Sequence, residues 1–211
     1  ALLILAKILS LEMTADHALF FVYVGAAEYS VGEPDERKWL SKGVSEVRSV
    51  LGFPGVIVPS RRQHLIILVG FEHERAAELI RSYEPSVVSL GHGRSGTALD
   101  PGHQAANQRF HKLVSESAST YGDVKHFEFA CNDPLDAQRA IEKQARAVKG
   151  HNTVVAPMNT KLSTLGAVLA AQRDESIQLC YARANQYNYE RYSRPGDTCY
   201  LIELPELFEQ T

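Results

Sequence analysis

The run "HLIILVGF" at residues 64–71 limits the fold more than any other feature, because Leu65 through Val69 offer no polar side to water. A strand that is apolar at successive positions is covered on both faces, as in a parallel sheet flanked by helices, whereas a half-exposed strand alternates apolar with polar. The runs "SVVSLG" (86–91) and "NTVVAP" (152–157) repeat the pattern, and amphipathic stretches of helical length separate them. The class expected is α/β, a Rossmann-like, mainly parallel sheet with helices on both faces. Residues 65–69, 86–90 and 153–156 are expected to be neighbouring strands running in one direction.

Further strands are expected at "LFFVYVG" (19–25), "GVIV" (55–58), "KHFEFA" (125–130) and "IQLCYA" (177–182), and helices at about 35–51, 73–83, 103–119, 134–149 and 160–173. Local punctuation agrees. Asn132 or Asp133 suits an N-cap with Pro134 at the first helical position, and Gly150 follows a helix ending at Lys149. Two irregular segments, about 92–102 and 183–197, are long enough to be read as functional loops.

"ALLILAKILSLEM" (1–13) is apolar but interrupted by Lys7 and far short of the roughly 20 residues that span a bilayer. Residues 1–16 are read as a helix packing on a further domain or partner, and residues 17–211 as one Rossmann-like domain. A formal net charge of -3 gives no field for long DNA or RNA or for an anionic membrane. Cys131, Cys180 and Cys199 form no C-x-x-C pair, so a reducing cytoplasmic compartment is expected. His92, His103 and His111 with Asp100 match no common ligand spacing, and no metal is expected.

"LGHGRSGTALDPGH" (90–103) places Gly91, Gly93 and Gly96 in the spacing G-x-G-x-x-G. A dinucleotide turn runs straight into a helix that receives the pyrophosphate, but here Pro101-Gly102 sets a further turn first. The acidic residue due about 20 positions later is missing. No cofactor is expected: neither NAD, NADP nor S-adenosylmethionine. Gly91 and Gly93, with Gly25 after the strand ending at Val24, are read as parts of loops at the carboxyl edge of the sheet. The chain contains no G-x-S-x-G elbow, no P-loop and no H-E-x-x-H.

Most of the chemistry lies in "NTVVAPMNTKLSTLGAVLAA" (152–171): a buried strand, a tight turn and a helix of small residues. Asn159 or Thr160 can cap that helix, and Lys161 adds a full charge beside its positive end, a combination suited to an anion. Downstream, "YARANQYNYERYSRPGDTCY" interleaves Tyr187, Tyr189 and Tyr192 with Arg183, Arg191 and Arg194, a composition that can stack bases and pair phosphates.

Over about thirty residues this segment resembles the strand, T-G-G-T-K-like turn and slim helix of the CARF and SAVED-type Rossmann-like sensor domains of prokaryotic defence systems. Asn159, Thr160 and Lys161 stand at the end of that motif, while Pro157 and Met158 replace its paired glycines. The resemblance implies recognition of a cyclic oligonucleotide or similar nucleotide messenger, a homodimeric or tandem arrangement, and an effector domain or subunit under its control. The leading reading is a nucleotide-messenger-sensing regulatory domain in antiviral defence. Its ligand would meet Asn159, Thr160, Lys161, Tyr187, Arg191, Gly25, Gly91 and Gly93. A nucleotide-processing hydrolase or transferase using Glu28 or Asp100 is the alternative, and a partner-binding module is a third.

Overall fold

The computed structural model describes residues 1–14, 16–30, 39–99 and 101–204. In chain order the elements are α1 (Leu2–Glu12), β1 (Phe20–Tyr29), β2 (Ser41–Pro54), β3 (Gln63–Leu68), α2 (His73–Tyr83), β4 (Val87–Gly93), α3 (Pro101–Ala118), β5 (Asp123–Phe129), α4 (Pro134–Ala147), β6 (Asn152–Pro157), α5 (Lys161–Arg173), β7 (Gln178–Tyr187) and β8 (Ser193–Glu203).

The three apolar runs pair side by side, as their composition requires. β3 lies between β4 and β6, with Ile66 opposite Ser89 on one side and Val155 on the other, all parallel. The six-stranded sheet has the order β2-β7-β6-β3-β4-β5, in which β2 alone is antiparallel to its neighbour. Alternate residues of β3 feed two cores. Leu65 and Ile67 meet Leu79 and Ile80 of α2 and Phe110 and Val114 of α3. Ile66 and Leu68 meet α4, α5 and α1 through Ile141, Val168 and Leu3. This is the Rossmann-like α/β architecture.

From β3 the chain steps outward to β4 and β5, then α4 carries it back across to β6 on the other side of β3. Connections therefore leave the carboxyl ends of β3 and β6 in opposite directions. The crevice at such a switch point is where open α/β sheets bind ligands.

α4 is capped by Asp133, whose Oδ1 accepts from the amides of Leu135 and Asp136, with Pro134 at the start. α5 is buried at every position from Leu162 to Ala171, which its small residues permit. A Cβ on Gly166 would lie 2.5 Å from the Pro134 carbonyl oxygen, so glycine there sets the closeness of α4 and α5.

Four local expectations are corrected. The helix expected over about 35–51 is, in its described part, the strand β2. Valines at 44, 47 and 50 mimic a helical period, but the register shift between Val44 and Glu46 puts Val44 and Val47 on one face against one core, while ordinary alternation sends Val50 to the core on the other face. Gly43, at φ +62, precedes that shift in a conformation that favours glycine. Residues 55–58 form no strand, and Val56 and Ile57 are exposed. Residues 183–197 are not a long loop but the end of β7, a tight turn and the start of β8. β1 is not in the parallel sheet: it pairs with β8 as a separate two-stranded antiparallel ribbon. α1 packs on its own chain through Leu3 and Ala6 against the core that holds Val50 and Phe53, and leaves Leu5, Ile8 and Leu11 exposed. Among the described residues no helix is long and apolar enough to cross a membrane.

Two expectations about stability follow from the packing. Gly166→Ala gains up to about 1 kcal/mol of helix propensity but overpacks a backbone contact that typically costs about 1–3 kcal/mol. Urea titration should show a net loss. His64 is fully buried beside Ser89, with Nε2 and Oγ 2.8 Å apart, and burial, aided by His151 and Lys125, lowers its pKa to about 4. The unfolded chain takes up that proton below about 6.5 while the folded chain stays neutral, so stability falls as pH drops from 6.5 towards 4, by up to about 3 kcal/mol. His111, lowered to about 4 by burial and by His92, adds to the same window. Melting temperature against pH should show this slope, reduced but not abolished in His64→Gln.

Candidate functional site

The carboxyl ends of β3, β4, β5 and β6 and the overlying ribbon β1–β8 enclose a cavity of about 380 Å³. The sheet contributes Gly70 to Glu72 after β3, Gly93, Cys131, and Met158 to Lys161. The ribbon contributes Tyr23, Val24, Ala26 and Tyr29 from one strand and Ser193 and Pro195 from the other, with Tyr192 from the turn before it. α3 closes one end with His103, Gln104 and Asn107.

The strand ends are tied together where they open into this cavity. The Val69 carbonyl accepts from Asn107 Nδ2 and from Asn159 Nδ2, both at 2.6 Å, while the Val69 amide donates to the Gly91 carbonyl at 2.9 Å. Asn107 Oδ1 in turn accepts from the Gly93 amide at 2.9 Å. A Cβ on Gly70 would lie 1.9 Å from the Met158 carbonyl oxygen, so only glycine lets the ends of β3 and β6 approach this closely.

Thr160 is the N-cap of α5. Its Oγ1 accepts from the Ser163 amide at 3.1 Å and donates to the Cys131 carbonyl at 2.6 Å, and Asn159 Oδ1 accepts from the Thr160 amide at 2.9 Å. Among the described residues the first-turn amides of Lys161 and Leu162 make no hydrogen bond. Lys161, with its exposed side chain and unbonded amide beside the positive end of the helix dipole, forms the cationic end of the cavity, whereas Leu162 is fully buried behind it.

Part of the lining is aromatic. Tyr29 stands 4.9 Å from His103 and 5.3 Å from Phe71, centre to centre; Phe71 and His103 are 5.6 Å apart, and Tyr192 is 6.3 Å from Tyr29. Burial, with Tyr23 alongside, drives the Tyr29 hydroxyl far above the usual phenol range, and burial with the negative charge of Glu72 pushes Tyr192 up to about 12. Glu72 accepts from Ser41 and from Arg75, whose Nε donates to the Ala182 carbonyl at 2.9 Å and whose guanidinium stacks 4.9 Å from the Tyr181 ring centre. Burial pushes the Cys131 thiol up to about 11. These groups stay neutral or charge-paired at pH 7, and neither the thiol nor the phenols are activated as nucleophiles.

Of the residues singled out from sequence, Asn159, Thr160, Lys161 and Gly93 line the cavity. Gly25 sits between the lining residues Val24 and Ala26, with its missing Cβ facing Leu99 and Tyr200. Gly91 is buried beneath Phe127, whose ring would meet a Cβ at 2.5 Å; it is glycine for packing. Tyr187 and Arg191 are not among the lining residues. The Tyr187 hydroxyl pairs with that of Tyr181 at 2.8 Å, and the Arg191 amide donates to the Asn188 carbonyl at 3.2 Å.

Glu28 pairs with Arg194 at 3.7 Å with both side chains largely exposed, and Asp100 lies outside the described residues. His92 and His111 cluster with His126 apart from His103, and among the described residues no three His, Cys, Asp or Glu groups are placed to hold a metal.

Sequence reasoning missed Tyr29, Phe71, Glu72 and Asn107. A signal existed for two of them. "GFE" (70–72) ends the most apolar strand, the one that flanks the switch point, so Phe71 and Glu72 had to emerge there.

No protein-family model matches the chain, and no curated protein matches it. The cysteines offer a check on the site's geometry. Cys131 and Cys180 are buried, with thiols pushed up to about 11 and about 12, while Cys199 is exposed. A thiol reagent at pH 7, followed by intact-mass measurement, should label one cysteine quickly and two only on unfolding.

Proposed function

We propose that this chain is a nucleotide-binding regulatory domain that senses a nucleotide messenger. The observation that carries the proposal is the cavity at the switch point. Its lining brings together the amide and ammonium of Lys161 at the amino end of α5 and the rings of Tyr29, Phe71 and Tyr192, the two features a phosphate and a base require. Its volume of about 380 Å³ falls in the range of small-molecule sites. One nucleotide unit would occupy it, with the phosphate at the amino end of α5 and the base against Tyr29 and Phe71. A cyclic oligonucleotide would seat one of its units in this way.

The resemblance of residues 152–182 to CARF and SAVED-type sensors supports the same reading. It extends it to a defence protein in which binding controls an effector domain or subunit, in the cytoplasm and as a homodimer or tandem array. Binding is favoured over turnover because the thiol and phenols around the cavity have their acidity shifted away from reactivity.

A thermal-shift screen of cyclic di-, tri- and tetranucleotides, with calorimetry on any hit, tests the proposal. Lys161→Ala should weaken binding by about 1–3 kcal/mol, the scale of a charge-assisted contact, and leave the melting temperature of the free protein unchanged. Tyr29→Ala should also lower affinity, whereas Arg191→Ala should not. A nucleotide hydrolysed in a manner dependent on Glu28 would transfer the reading to the enzyme alternative.

A further inference from the structure

Glu72 is an unusual residue to meet where the first parallel strand turns into its helix. It is the N-cap of α2, yet its side chain makes no capping hydrogen bond. It lines the cavity instead, with 11% of its side chain still accessible. Each carboxylate oxygen has one protein partner, Ser41 on Oε1 and Arg75 on Oε2. An ionised carboxylate has about four acceptor positions, so two remain for a ligand. The neighbouring wall is aromatic, and Tyr192 is near enough for the charge of Glu72 to raise its pKa.

A carboxylate at this turn, an acceptor with no proton to donate, disfavours phosphate at the place where dinucleotide folds put it. The ligand's anionic end is thereby directed to Lys161, and its other end meets a fixed acceptor pair. We infer that Glu72 selects the base, accepting two parallel N–H donors from a guanine edge, the ring N–H and the exocyclic amine. Adenine presents an amine beside a ring acceptor on that edge, and the acceptor would face the carboxylate. Hypoxanthine keeps the ring N–H but lacks the amine. Arg75 holds the carboxylate in place: its Nε on the Ala182 carbonyl and its stacking on Tyr181 leave the guanidinium little freedom. This inference rests on the nucleotide reading above and adds to it the identity of the base.

Calorimetry on the whole chain with GMP, dGMP, IMP and AMP, and with cyclic di-GMP, di-IMP and di-AMP, separates the possibilities. The expected order is guanine over hypoxanthine over adenine, with about tenfold for the loss of each matched contact. Glu72→Gln, whose amide suits adenine, should cost the guanine ligands about tenfold and leave the adenine ligands equal or tighter. If that variant melts early, the ranking on the unaltered protein still decides. Equal binding of all three bases, with Lys161→Ala weakening them alike, would overturn the role of Glu72 and leave the nucleotide site standing. A drop from GMP to dGMP with GMP and IMP bound alike would place the carboxylate on the ribose and overturn the base assignment. No binding by any ligand would overturn both readings.

Discussion

One carbonyl group holds the candidate site together. Val69 directly follows the central strand β3, and its oxygen receives side-chain amides from Asn107 of α3 and Asn159 of the turn before α5, which belong to opposite faces of the sheet. Unpaired at a buried strand end, that carbonyl would cost on the order of 1–3 kcal/mol. Paired twice, it fixes α3, the end of β4 through Gly93, and the amino end of α5 relative to one another. The near-contact of Gly70 with Met158 holds the ends of β3 and β6 together at the same level.

The electrostatic character of the cavity follows from that arrangement. α5 points its amino end inward because β6 stops beside β3, and Thr160 consumes one first-turn amide while leaving two. α2 also begins at the cavity, but Glu72 cancels its attraction for anions and is itself balanced by Arg75. Of two helix amino ends at one crevice, only one is left able to hold a phosphate. The ribbon β1–β8 supplies Tyr23 and Tyr29 above this edge and adds a second wall to the cleft.

The sequence made the fold legible wherever burial on both faces removed polar residues. β6 runs over residues 152–157 and α2 over residues 73–83, as the pattern indicated. It misled at β2, where one register shift brings Val44 and Val47 to the same core and plain alternation gives Val50 to the other, so a strand that meets both cores shows helical spacing. The cationic half of the cavity was legible because Asn159, Thr160 and Lys161 are contiguous. The aromatic half was not: Tyr29, Phe71, His103 and Tyr192 are far apart in the chain and meet only through the ribbon's return over the sheet. The Tyr/Arg segment drew attention to the right turn but to the wrong members of it, since strand alternation and the tight turn bring Tyr192 rather than Tyr187 or Arg191 to the cavity.

The most direct test of the switch point as the binding site is amide chemical-shift mapping by NMR during titration with a cyclic dinucleotide. The amides of Lys161, Gly70 and Gly93 should shift furthest and saturate together, joined by Tyr29 and Tyr192 of the overlying ribbon and its turn. Shifts confined to the amino ends of the strands, around Gln63, Ser86 and Asn152, would contradict the placement.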